Sequence, residues 1–310
     1  MAGYIARRLL LAIPTLIGIT LITFLLLSVA AGDPAQALVS MKGGEYEIEQ
    51  ARRETGTDKP LVVQYLRFLG ETFTLDFGDS WVKNRPVSDL ILEGIGPSAS
   101  VTVPAFILAT LIAIALALLC AFYRDSLVDR LTVISAVAGL SVSSLAYIIF
   151  GQYWVGYRWS LLPVFGYESG LHGIVFLILP WLIWVAISVG SDVRFFRTVM
   201  LEEMGKDYVR TAAAKGVPTR TILFRHILKN AMIPIITRVV IAFPFLFVGS
   251  LLLERFFGIP GVGYLSIEAV TTNDYPVIKA LVVYSGILYI LFTIISDVLY
   301  ALVDPRVRLR

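Results

Sequence analysis

Val101-Thr-Val-Pro-Ala-Phe-Ile-Leu-Ala-Thr-Leu-Ile-Ala-Ile-Ala-Leu-Ala-Leu-Leu-Cys-Ala-Phe-Tyr123 runs for more than twenty residues without a charge. A hydrocarbon layer about 30 Å thick takes roughly 20 residues of helix, because peptide groups find no water there and must bond within their own segment. Five further stretches qualify: Leu9 to Ala31, Leu131 to Val155, Gly173 to Gly190, Ile233 to Leu253, and Ala280 to Leu302. The pattern predicts an all-α integral membrane protein with six transmembrane helices. Composition agrees, with 57% hydrophobic and 16% charged residues and a mean hydropathy of +0.79, far from soluble globular usage. A membrane β-barrel would instead show alternating segments of about ten residues. The first stretch follows Arg7 and Arg8 like a signal peptide, but its apolar run exceeds the roughly 7–15 residues of one. It is read as a retained anchor, residues 1–31.

Lysine and arginine set the orientation. Arg7, Arg8, Arg124, Arg130, Arg194, Arg197, Lys206, Arg210, Lys215, Arg220, Arg225, Lys229, Arg306, Arg308 and Arg310 fall on one side, against Arg158, Arg255 and Lys279 in the short loops of the other. This asymmetry predicts that both termini are cytoplasmic. Residues 32–96 then form an external loop region, too long for the charge rule to apply to it. Within it Leu61, Val62, Tyr65, Leu66 and Leu69 recur at helical spacing after Asp58 and Pro60, predicting an amphipathic helix on the membrane surface or on the bundle. The net charge of +3 is a topology signal and not the footprint of a nucleic-acid partner. With Cys120 alone, no intramolecular disulfide can form.

The longest inner connection, 191–231, exceeds what a turn between spans requires. Gly205 interrupts the fourth span's extension, Asp207 is a plausible N-cap, and Tyr208 to Lys215 includes three consecutive alanines, the best helix formers. Gly216 stands where that helix should end. Pro218 suits the first turn of another, with Ile222, Leu223, His226 and Ile227 on one apolar face before Pro234. Two short helices hinged at Gly216 are expected. A small alanine face permits close docking in a groove, with Arg210, Lys215, Arg220 and Arg225 around it; a solvated cationic surface is the plainer reading of the same charges.

Arg210-Thr211-Ala212-Ala213-Ala214-Lys215-Gly216, followed by His226, Asn230, Ala231 and Pro234, resembles the cytoplasmic coupling loop of ABC importer permeases, in the variant of the oligopeptide and dipeptide permease family. Arg7 to Pro14, Gly32-Asp-Pro34, Asp58-Lys-Pro60, Gln64-Tyr65, Phe77-Gly-Asp-Ser80, Pro260-Gly-Val-Gly263, Asp274-Tyr-Pro276, Asp297 and Asp304-Pro-Arg306 extend the resemblance along nearly the whole chain, to the first of that family's two permease subunits. Ala213 departs from it, at a position that is often Arg. The resemblance implies a type I ABC importer permease fold in a bacterial inner membrane, with a core over 97–303 and a cytoplasmic tail, 304–310. It implies ATPase-coupling roles for Asp207, Tyr208, Arg210 to Gly216, His226 and Asn230. It also implies the partners: a second homologous permease, two cytoplasmic ABC ATPases, an external substrate-binding protein and the surrounding lipid. No G-x-x-x-x-G-K-[ST] phosphate loop occurs in the chain, so ATP and Mg are expected in the ATPases and no cofactor on this subunit. Peptides are the expected cargo, with nickel chelates or another small solute as the alternative.

The pathway is less legible. Ser135, Gly139 and Ser143 recur every four residues, a spacing that serves close helix packing or a polar lining equally, and Tyr147 and Gln152 lie farther along the same span. Charges inside spans mark function, and Arg238 and Asp297 sit at similar depth, so they are expected to pair, with Arg194 and Arg197 as rival partners for Asp297. A gradient-driven secondary transporter would need paired broken helices and coupling carboxylates at the midplane. For a membrane enzyme, no metal-ligand cluster or nucleophile and base pair appears in the spans.

Overall fold

The computed structural model describes residues 2–29, 35, 39 and 45–303. The tail at 304–310 and the Gly32-Asp-Pro34 match lie outside them. In chain order the helices are α1 (Ala2–Val29), α2 (Glu45–Thr55), α3 (Leu61–Thr74), α4 (Val87–Phe122), α5 (Leu127–Leu140) and α6 (Ser144–Gly151), which continues as a π-helix over Gln152–Arg158. They are followed by α7 (Ile174–Met204), α8 (Asp207–Ala214), α9 (Thr219–Val248) with a π-helical stretch at Ile222–Leu228, α10 (Leu251–Phe257), α11 (Val262–Thr271) and α12 (Tyr275–Val303).

Five helices, α1, α4, α7, α9 and α12, are long and apolar enough to cross a membrane. α5 and the helix running from Ser144 to Arg158 pass the same test only as a pair, bent by 95° at their break, which makes a sixth crossing if the pair is one span. The straight span expected over Leu131 to Val155 is therefore corrected to a broken one. Its ladder stops where Ser141 and Val142 bond back three residues, to the carbonyls of Ala138 and Gly139 at 3.1 and 3.3 Å. The Tyr147 hydroxyl then donates to the Gly139 carbonyl at 3.0 Å, so the break leaves that oxygen partnered. Several spans also run past their apolar stretches, α4 beginning at Val87 and α7 ending at Met204.

Proline inside a span frees the carbonyl four residues earlier, and in hydrocarbon that oxygen needs another donor. Pro104 frees Ser100, whose oxygen accepts from the Trp181 indole of α7 at 3.0 Å. Pro244 frees Val240, which accepts from Ser296 of α12 at 3.4 Å. The last turn of α9 is satisfied in the same way, Thr102 donating to Leu246 and Tyr284 to Phe247.

The centre of the bundle is α4 against α7. Ala105, Ala109, Ala113, Ala117 and Ala121 recur every four residues on α4, all buried, the small-residue spacing that lets two backbones approach. α5 joins them at Gly190, where an added Cβ would lie 2.7 Å from the Ala136 carbonyl. The packing residue of α5 is thus Ala136, while Ser135 and Ser143 are exposed. α1 stands at the edge against α12. The amphipathic α3 lies against the bundle through Tyr65, whose hydroxyl reaches the Ile17 carbonyl at 3.0 Å, and through buried Phe68, with Leu61, Val62, Leu66 and Phe73 turned outward.

α8 packs against the C-terminal part of α4 and marks one end of the bundle; α11 packs against the N-terminal parts of α4 and α12 and marks the far end.

Candidate coupling site

α8 follows directly from α7. Lys206 is its N-cap residue, with no side-chain cap, and Asp207 is the first helical residue rather than the cap expected from sequence. A carboxylate in the first turn complements the helix dipole there. Gly216 terminates the helix with φ +77°, its N–H bonding to Ala213 at 2.9 Å while Val217 bonds to Ala212 at 3.2 Å. The break expected at Gly216 is present, but the second short helix is not: from Thr219 the chain runs without interruption through Pro234 to Val248, because proline within a helix can kink it without ending it.

One side of α8 is anchored. Ala212 is buried in a cluster with Ala113, Ala117 and Ala121 of α4, Val193, Phe196 and Met200 of α7, and Ile222, Leu223 and Ile227 of the π-helical stretch, with Val209 packed beside it. Only a residue as small as alanine lets the short helix lie this close. The opposite side, with Asp207, Tyr208, Arg210, Thr211, Ala213, Ala214, Lys215 and Gly216, is exposed. Tyr208 ties the helix back to α7 by donating to the Glu203 carboxylate. Partial burial and that carboxylate push the Tyr208 phenol above its ordinary range. His226 is half-buried, and its carbonyl accepts from the Asn230 amide at 2.9 Å. The residues expected around the coupling loop are thus gathered in one place.

Behind α8, Asp129 and Arg197 clamp the start of α5 to α7. Arg197 Nε and Nη2 donate to the two carboxylate oxygens at 2.6 and 2.7 Å, and Asp129 is almost wholly buried.

The expected pair of Arg238 with Asp297 is not formed. Asp297 meets Arg8 of α1 at 2.7 Å, and Arg238 meets Asp192 of α7 at 3.4 Å. Arg197, a rival partner for Asp297, is taken by Asp129. Similar depth was a sound inference; which faces of the helices turn toward each other was not contained in it.

The other residues set against the pathway are distributed. Tyr147 spends its hydroxyl on Gly139, and the Gln152 amide donates to Val164 and Phe256 at 2.9 and 3.0 Å, joining the π-helix after α6 to α10. Ser135 bonds its own Leu131 carbonyl at 2.7 Å. The break after Leu140 removes Ser143 from the stripe it was expected to share with Ser135 and Gly139.

At the far end sits a node that periodicity did not reveal. The fully buried Glu254 accepts from Ser98 of α4 at 2.9 Å and from the backbone N–H groups of Ser250 and Tyr264 at 2.8 and 3.0 Å. Ser98 in turn accepts from Val262 N–H at 2.8 Å. This holds α10 and α11 as a folded return instead of a plain turn, and the run Gly261-Val-Gly263 was its signal, since side chains there would strike the carboxylate. A second buried carboxylate, Asp274, accepts from Ser80 and from Trp81 N–H at 3.2 Å, pinning the segment before α4 to the start of α12. Among the described residues no group of three His, Cys, Asp or Glu is placed to hold a metal.

Residues 113–309 match the family described as binding-protein-dependent transport system inner membrane component, and residues 1–102 match the N-terminal region of such membrane components. The chain belongs to this family: it is a multi-pass inner-membrane permease subunit of an ABC importer and not itself an enzyme. Permeases of this kind work with ATPase subunits and a binding protein.

Among its relatives is the glutathione transport system permease protein GsiC of Salmonella paratyphi A, 36% identical over 310 residues and covering 99% of both chains. The proteins of the same name from Escherichia coli K12 and Shigella flexneri serotype 5b are each 34% identical, over 310 and 308 residues and 99% of both chains.

Proposed function

We propose that this subunit forms half of a translocation pathway for di- or oligopeptides, delivered by an external binding protein and driven by two cytoplasmic ATPases through α8. The second half comes from a homologous permease. The observation that carries the reading is the asymmetry of α8: Ala212 and Val209 root it in the ends of α4 and α7, and Asp207, Tyr208, Arg210, Thr211, Ala213 and Ala214 are exposed. Both chain termini then lie in the cytoplasm with it, in accord with the arginine and lysine distribution. ATP and its Mg are held by the ATPases, and this chain carries no cofactor. When nucleotide binding draws the ATPases together, α8 moves with them, and its rooted side passes that motion to α4 and α7. The bias comes from the tighter binding of ATP to the closed state. The peptide class is supported by the relatives named for glutathione, a tripeptide.

The test is ATP-driven uptake into proteoliposomes containing both permeases, the ATPases and the binding protein, using glutathione, dipeptides, longer peptides and a nickel chelate. Uptake of peptides that vanishes when the ATPases are omitted is expected. Uptake of the nickel chelate alone would overturn the peptide class, and uptake without ATPases would overturn the coupling.

A further inference from the structure

Arg238 is half-way along the α-helical part of α9, roughly 14 Å from Lys229 and roughly 15 Å from Val248 at 1.5 Å per residue. Its partner Asp192 is roughly 27 Å along α7 from Ile174 on the same scale. A guanidinium at such depth is costly against lipid, so such groups turn to the bundle interior or to water. The two internal arginine pairs differ in kind. Arg197 is closed on Asp129 by two short bonds and its side chain is 24% exposed. Arg238 is 48% exposed and reaches Asp192 Oδ1 only at 3.4 Å from both Nε and Nη2, with Nη2 also 3.3 Å from Ser191 Oγ. Its guanidinium lies over the Phe195 ring at 5.6 Å, which orients the plane without consuming a donor. A guanidinium carries five N–H donors in a fork matched to a carboxylate; the contacts here are long and use Nε and Nη2, which leaves the two donors of Nη1 open.

We propose that Arg238 is an anion-binding point in the inner half of the translocation pathway, taking the carboxylate of a passing peptide while Asp192 and Ser191 hold it in place. The proposal rests on the peptide reading above. In the resting state Asp192 occupies the guanidinium loosely. An arriving carboxylate competes for it and leaves again as Asp192 returns, so the cargo is held without being trapped.

The two members of the pair therefore act with opposite sign, which a structural ion pair would not do. In the reconstituted complex, Arg238→Gln should raise the peptide concentration for half-maximal uptake at least fivefold, Arg238→Lys should recover most of the loss, and Asp192→Asn should lower that concentration. Equal impairment by Arg238→Gln and Asp192→Asn would overturn the proposal, as would no change in either. Independently of cargo, Asp192→Cys in a Cys120→Ala background should react several-fold faster with an anionic than with a cationic water-soluble thiosulfonate, and Arg238→Gln should abolish the preference. Failure to react with either reagent means that lipid or the second permease covers the site and sinks the proposal. A complex that imports no peptide but keeps the charge-selective labelling would instead refute only the cargo class.

Discussion

Replacing Asp129 by asparagine removes one charge from the clamp between α5 and α7 and leaves Arg197 behind. Breaking a buried pair from one side costs about 3–5 kcal/mol, because the remaining charge has lost its compensation. Arg197 retains 24% exposure and can recover some hydration, which brings the expectation to about 2–4 kcal/mol. Asparagine also lacks the second acceptor that receives Arg197 Nη2 and the Asp125 N–H. For a domain of moderate size each kcal/mol moves the thermal midpoint by about 2–4 °C, so a loss of roughly 4–16 °C is expected. It is read by heating the purified complex and following the surviving folded fraction by fluorescence-detected size exclusion. Asp129→Leu with Arg197→Met should recover most of the loss, since removing both charges leaves neither uncompensated. A single variant within a degree or two of the parent, or a double variant no better than the single, would refute the reasoning.

At the far end, Glu254→Gln turns an amide N–H₂ toward a site already supplied with donors by Ser98, Ser250 and Tyr264, and a buried unmatched donor costs about 1–3 kcal/mol. Gly249→Ala should be worse in the same heating assay, because φ is +83° and the new Cβ would crowd the Glu254 carboxylate and lie 2.7 Å from Ser98 Oγ. In the coupling loop, Gly216→Ala meets only the left-handed backbone penalty of about 1–2 kcal/mol, since open space surrounds its Cβ. Ala212→Leu instead overfills the socket of α8. It should reduce peptide-stimulated ATPase activity more than Gly216→Ala does, and equal activities of the two variants would argue against docking through Ala212.

The membrane class, the position of most spans and the helix from Asp207 that stops before Gly216 are legible in the residues alone. Hydrocarbon imposes length and apolarity on every spanning segment, and a glycine directly after a run of strong helix formers is suited to the left-handed backbone that ends a helix, which Gly216 adopts at φ +77°. The alanine ladder from Ala105 to Ala121 is equally visible in the chain as a plain four-residue repeat, and it packs α4, whereas Ser135 and Ser143 of the weaker Ser135, Gly139 and Ser143 repeat are exposed. The remainder is lateral and comes from packing. Arg238 meets Asp192 and not Asp297, Glu254 gathers donors from α4 and from two turns of its own return, and the chain bends by 95° between α5 and the helix that follows it. Depth along a span is set by residue count, which a sequence contains. The face a helix turns to its neighbour is set by how all the helices pack at once, and no single segment encodes it.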